Sequence, residues 1–280
     1  MNTDSFFTIG STHKVCQDYA IALNDTKNGP FIALSDGCSA SPDTDFGSRI
    51  LVKSIQNLYC NEGVSAMSLD DNKLTELIWN KAFNSINAIS GLSPYCLDAT
   101  LLFAYKSNNK IEVVMMGDGT VSLKAKDGTL FTKTIEYKGN APLYLSYLHS
   151  NPSRREQREV QFDCKKVITN TIHKTGKGVL NWSEQVSTND IERFSFFIED
   201  FDYISLFSDG VTSFTSQEIS DGTKTNELVP EHLVIEQAMN FKNYAGEFVR
   251  RRCNRFLKEW SDIESKASDD FSTATIYTGT

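Results

Sequence analysis

Three apolar runs in this chain each stop at an aspartate followed by glycine. Phe31-Ile32-Ala33-Leu34 ends at Ser35-Asp36-Gly37, the run in VVMMGDGTVSL (113–123) ends at Asp118-Gly119, and that in YISLFSDGVTS (203–213) ends at Asp209-Gly210. Continuous apolar runs this short predict strands buried on both faces. Residues 5–10 and 19–23 are further β-leaning runs, and Asn24-Asp25 with Asn28-Gly29-Pro30 supplies a turn before the strand at 31. Between 45 and 60, Phe46, Ile50, Leu51, Ile55 and Leu58 recur at helical spacing. A second helix is expected over 74–89, with Leu77, Ile78, Phe83 and Ile86 on one side.

Runs at 99–105 and 111–116 flank the polar segment 106–110, which predicts a hairpin. Runs at 121–125 and 130–137 follow, joined through Asp127-Gly128. Connections this short leave no room for helical crossovers, so the expectation is one continuing antiparallel meander. Over 141–200 only 165–173 and 195–200 look like strands, and the rest reads as loops. Helices are expected at 231–241 and 246–264, the second with an apolar stripe through Phe248, Val249, Cys253 and Phe256. The chain closes with a β-run opened by Asp269-Asp270. Hairpins plus segregated helix pairs indicate an α+β fold, with antiparallel sheets covered by helices in a single domain over 1–280.

Aspartate is a weak strand former and costly to bury unpaired, so its repeated place at strand ends asks for a reason. Asp-Gly is also an ordinary turn dipeptide, and Asp127-Gly128 and Asp221-Gly222 read as plain turns. At Asp36, Asp118 and Asp209 strong apolar runs lead straight into the acid. Carboxylates delivered to one rim of a sheet are what hard cations such as Mg²⁺ and Mn²⁺ require.

Composition narrows the classes. The net charge of −8 disfavours a phosphate-backbone surface, so no nucleic-acid partner is expected. Six scattered cysteines with no CxxC pair fit reduced thiols in a cytoplasmic protein. Neither a signal peptide nor a membrane-spanning run is visible, so no membrane partner is expected.

The order of motifs resembles the metal-dependent protein phosphatases of the 2C type, and most closely their bacterial-style branch. The matching stretches are Gly10-Ser11-Thr12-His13, Cys16-Gln17-Asp18, FIALSDG, DATLLFAY, MMGDGTVSL, LFSDGVTSF and DDFSTATIY. The resemblance runs nearly end to end and implies two packed antiparallel sheets flanked by helix pairs. It implies two Mg²⁺ or Mn²⁺ ions bridged by Asp36, with the Gly37 carbonyl, Asp209 and Asp269 as further ligands. Asp18 would act through bound waters, and Asp118 would join Asp209 at a third, weaker position. Asp270 is the alternative to Asp269. Metal-activated water would attack phosphorus in line and release the serine or threonine oxygen of a phosphoprotein. Asp36, Asp209 and His13 are then the catalytic candidates.

Two positions depart from the pattern. His13, with Lys14 beside it, stands where relatives place a phosphate-gripping arginine, so these two become the phosphate-binding candidates. Cys38 stands where eukaryotic members often carry histidine, which leaves proton delivery to the leaving group unassigned. The competing reading is a catalytically silent regulatory or adaptor domain. Aspartyl-nucleophile chemistry is disfavoured because none of the strand-end motifs has Asp-x-Asp spacing. A monomer is expected, with partners supplied in trans.

Overall fold

The run Phe31–Ser35 is apolar because both of its faces are buried. Phe31 and Ala33 pack under helices, whereas Ile32 and Leu34 pack against a second sheet. In the computed structural model, which describes residues 1–24, 26–149, 152–174, 177–220 and 223–279, this strand is the third of fifteen.

The chain begins with β1 Asn2–Thr8, β2 Tyr19–Leu23 and β3 Phe31–Ser35, then helices α1 Thr44–Glu62, α2 Val64–Met67 and α3 Asp71–Asn87. Strands β4 Leu101–Ser107, β5 Lys110–Met116, β6 Gly119–Ala125 and β7 Thr129–Tyr137 follow. Helices α4 Leu145–His149 and α5 Pro152–Gln161 precede β8 Lys166–Lys174, β9 Gly178–Ser187, β10 Ile191–Phe197 and β11 Phe201–Phe207. The last part comprises β12 Phe214–Ser220, β13 Thr223–Leu228, α6 Glu231–Ala238, α7 Phe248–Ser261, β14 Lys266–Ala267 and β15 Phe271–Tyr277.

Two antiparallel sheets stack face to face. One runs β1-β15-β11-β6-β7-β8-β9, the other β10-β5-β4-β3-β2, and a small third sheet runs β13-β12-β14. Side-chain alternation sorts the core into layers. Ile32, Leu34, Leu102, Val113, Leu123, Ile204, Leu206 and Ile276 fill the space between the large sheets. Leu51, Ile55, Leu58, Ile78 and Ile86 of α1 and α3 cover the outer face of the five-stranded sheet with Phe31, Leu101 and Phe103. Val234, Ile235, Val249, Cys253 and Phe256 of α6 and α7 cover Tyr203, Phe207 and Phe271 on the other side. Among the described residues no helix is long and apolar enough to cross a membrane.

The expected meander is broken. β4 and β5 pair in the five-stranded sheet, but β6 and β7 pair in the seven-stranded one. The chain changes sheets at Gly117-Asp118-Gly119, where both glycines adopt positive φ, 91° and 130°. A Cβ on Gly119 would stand 2.8 Å from the Phe207 carbonyl oxygen. Short spacing excluded a helical crossover but could not distinguish a hairpin turn from this step between layers.

Two further expectations change. The 141–200 segment is more regular than loops, because it holds α4, α5 and β9. Helix α5 carries almost no apolar residue and β9 is largely exposed, so neither shows a burial period. Phe46, placed on the apolar face of the first helix, is half exposed at its N-terminal end. Asp127-Gly128 is the plain turn expected, with Asp127 accepting from the Thr129 amide at 2.9 Å. Asp25, Thr175-Gly176 and the Asp221-Gly222 turn lie outside the described residues.

Gly119→Ala should lower the unfolding free energy by about 1–3 kcal/mol, the cost of holding a side chain in that backbone region. Urea denaturation checks this, and an unchanged midpoint would contradict the sheet-switch geometry.

Candidate metal centre

Strand register gathers the aspartates. Tyr19 pairs with Ser35, which sets Asp18 beside Asp36 just beyond the paired segment. Phe207 pairs with Thr120 on one side and Thr273 on the other. Asp209 therefore emerges next to Asp118, which precedes β6, and next to Asp269-Asp270, which precede β15. Five chain segments thus bring acids to one end of the sandwich.

Backbone and hydroxyl contacts hold these acids in place. The Asp36 amide donates to Thr100 Oγ1 at 2.9 Å, and the Thr100 amide donates to the Asp36 carbonyl at 2.8 Å. Gly37 is pressed against the start of α1, where an added Cβ would lie 2.7 Å from Thr44 Cβ. Ser208 Oγ donates to Asp18 Oδ2 at 2.7 Å and accepts from the Ser272 amide at 3.0 Å, linking the two sheets at the rim.

The two terminal aspartates have separate surroundings. Asp270 is buried, and its oxygens accept from the amides of Gly10 (2.7 Å) and Gln17 (2.6 Å). Asp269, with 42% of its side chain exposed, lines a cavity of about 300 Å³ with Asp36, Gly37, Asp118, Asp209 and His13. A neighbouring cavity of about 420 Å³ shares Asp118, Asp209 and Asn140 with it. Asp18 is fully buried behind this group. Lys14 is exposed and does not line the cavity.

His13 sits between the terminal acids. Its Nε2 is 3.4 Å from Asp269 Oδ1, and its Nδ1 is 3.1 Å from Asp270 Oδ2, at an angle short of a well-formed hydrogen bond. Partial burial acts to lower its pKa, but the carboxylates of Asp270, Asp269 and Asp18 outweigh that and the net shift is upward.

The cluster is electrostatically unfavourable by itself. Burial, and then the charges of Asp18 and Asp209, push Asp36 well above the carboxylate range. Burial raises Asp18 to about 7. Asp118 is raised by burial and by Asp209, and Asp209 by burial and by Asp269. Among the described residues, no group of three or more His, Cys, Asp or Glu side chains closes around an ion in this arrangement. The donor set nevertheless fits a hard divalent cation. It is all oxygen, and Asp18 Oδ1 and Asp209 Oδ1 are buried with no hydrogen-bond partner among the described residues.

Asn140, Tyr144 and Arg158 line the same cavity; Tyr144 carried no signal in the sequence, whereas Asn140 and Arg158 lie in a basic, irregular stretch over 140–160 that reads either as a surface for a phosphoprotein or as a solvated loop. Tyr144 and Asn140 come from the connection between β7 and α4, and Arg158 from α5, where no apolar period marked a helix. The basic cluster of Arg154, Arg155 and Arg158 was visible, but nothing in it told which arginine faces the acids. All six cysteines are free thiols, as expected.

Asp36→Asn should raise the melting temperature of metal-free protein, by about 2–4 °C for each kcal/mol of unfavourable charge removed. A carboxyl whose native pKa is raised favours the fold below its unfolded value, and that contribution is lost as pH rises. The gain in the variant should therefore be small near pH 4 and grow towards pH 8. Added Mn²⁺ should stabilise the original protein more than the variant. Thermal melts over that range check both; equal Mn²⁺ stabilisation of the two would remove Asp36 from the ligand set.

No curated protein sequence matches the chain significantly. Solved structures do match in fold. A bacterial serine phosphatase superposes with TM-score 0.58 at 11% identity, covering 100% of this chain and 98% of its own. The serine/threonine phosphatase Stp1 from Staphylococcus aureus gives 0.58 at 13%, covering 100% and 96%. The S. agalactiae serine/threonine phosphatase gives 0.53 at 13%, covering 98% of each chain. The sequence profile described as protein phosphatase 2C matches residues 10–242, and the chain belongs to that family.

Proposed function

We propose that this chain is one phosphatase domain over residues 1–280. It would hydrolyse phosphoserine and phosphothreonine on a phosphoprotein with two Mg²⁺ or Mn²⁺ ions. One observation supports the reading: carboxylates from separate strand ends meet at one cavity, with Asp209 Oδ1 on its wall and Asp18 Oδ1 behind it left unpaired. Repulsion among them is a cost that cation binding offsets.

Asp36, the Gly37 carbonyl, Asp209 and Asp269 would hold the pair. Asp18 would support it from behind, and Asp118 would serve a third position with Asp209. When bound, such ions supply Lewis acidity and an activated water for in-line attack on phosphorus. The chain's own groups do the rest. Ser208 orients Asp18, leaving Oδ1 directed to the cluster. Thr100 holds the backbone of Asp36 at both its amide and its carbonyl. Asp270 would serve as a clamp rather than a ligand, because it is buried and each of its oxygens accepts from a backbone amide, that of Gly10 or Gln17. His13 Nε2 faces Asp269, so the ring can donate a proton or hydrogen bond at the cavity wall.

The test is p-nitrophenyl phosphate and phosphothreonine-peptide hydrolysis with and without Mn²⁺. Turnover should require metal and fall roughly 100-fold or more in Asp36→Asn, at or beyond the effect of disturbing a ligand's support. A folded, Mn²⁺-binding protein with no turnover would favour the silent regulatory reading. His13→Ala should raise KM about severalfold, since the imidazole offers the substrate one donor at the cavity wall rather than a fork; an unchanged KM would take His13 out of substrate binding.

A further inference from the structure

The cavity needs a cation for an incoming phosphate, and the N-terminal loop does not deliver a free one. His13 is flanked by two carboxylates, and Lys14 does not line the cavity. Arg158 does line it, from helix α5.

The neighbours of Arg158 on the same helix are already engaged. Arg154 pairs with buried Asp98 at 2.8 Å. Arg155 pairs with Asp190 at 2.7 Å and with Glu159 at 2.8 Å. Arg158 has no carboxylate at ion-pair distance among the described residues, and its Nε is buried without a hydrogen-bond partner. Its guanidinium lies 4.6 Å from the Phe162 ring centroid and 5.9 Å from that of Tyr147. Stacking of this kind fixes the plane of the guanidinium while leaving its edge free for hydrogen bonds.

A buried anchor sets the helix over the site. Asp98 accepts from Ser41 Oγ (2.8 Å), Ser146 Oγ (2.6 Å) and Arg154, and its carbonyl accepts from the Cys38 amide at 2.9 Å. The Asp36-Gly37-Cys38 turn and α5 are therefore tied to one residue. Arg158 lies one helical turn beyond Arg154, on the same face.

We propose that Arg158 binds the phosphoryl group of the substrate through its non-bridging oxygens, adding from α5 the charged fork that His13 does not offer from the N-terminal loop. A guanidinium can engage two phosphate oxygens at once. The cavity, at about 300 Å³, is at the low end of ligand sites and suits a phosphoryl group rather than a large molecule. The ligand's identity rests on the phosphatase reading.

Two measurements separate this inference from that reading. Calorimetric titration of inorganic phosphate into Mn²⁺-loaded protein reads binding without turnover, and steady-state hydrolysis of a phosphothreonine peptide reads KM. Arg158→Ala should weaken phosphate binding and raise KM by about tenfold or more, the usual effect of losing a charged hydrogen bond. Arg158→Lys should recover part of the loss. Arg155→Ala should bind phosphate as the unaltered protein does, and Mn²⁺ affinity and melting temperature should be maintained in Arg158→Ala. If phosphate binds through Arg158 but nothing is hydrolysed, the phosphatase reading fails and this inference stands. If hydrolysis proceeds with phosphate affinity and KM unchanged in Arg158→Ala, the inference is overturned. Failure of the unaltered protein to bind phosphate overturns it as well.

Discussion

Mutual repulsion among carboxylates that cannot move apart governs the arrangement at the rim of the sandwich. Asp18 and Asp118 are buried and Asp36 and Asp209 partly so, and desolvation raises all four, with the charges of Asp18 and Asp209 adding to the shift of Asp36 and that of Asp209 to the shift of Asp118. Free side chains would separate or become solvated. Here each follows or precedes a strand whose other residues are locked by burial on both faces, so the core between the sheets determines where the charges stand. Holding these acids together is a cost that the packed layers offset.

The framework is closed by buried side chains that join distant parts of the chain. Asp270 draws the loop carrying Gly10, His13 and Gln17 onto the start of the last strand. Ser208 joins β11, β15 and Asp18. Asp98 joins the Asp36 turn to α4 and α5. Each uses a buried polar group whose partners lie far away in sequence, so losing one partner would leave the others unsatisfied. Site geometry and fold stability are therefore coupled through the same few residues.

The paired aspartates show how adjacent identical residues take different roles. Asp270 is buried and accepts from two backbone amides. Half exposure leaves Asp269 facing the cavity. The arginines of α5 divide in the same way, two spent on carboxylates and one left on aromatic rings beside the acids.

Strand and helix positions around the site were legible in the sequence because burial imposes a period on the residues. The run 31–35 and the stripe Leu51, Ile55 and Leu58 can satisfy only one arrangement each. The aspartates were legible for the converse reason: an acid directly after a buried strand has a cost that calls for a function. Three features were decided by tertiary structure. The switch between sheets at Gly117-Asp118-Gly119 depends on which layer receives β6, a choice that local spacing does not encode. Helix α5 has a solvated composition and is held by ion pairs to Asp98 and Asp190. The separate roles of Asp269 and Asp270 follow from amides more than 250 positions away. Periodic burial is written locally, whereas the pairing of polar groups is settled only when distant segments meet.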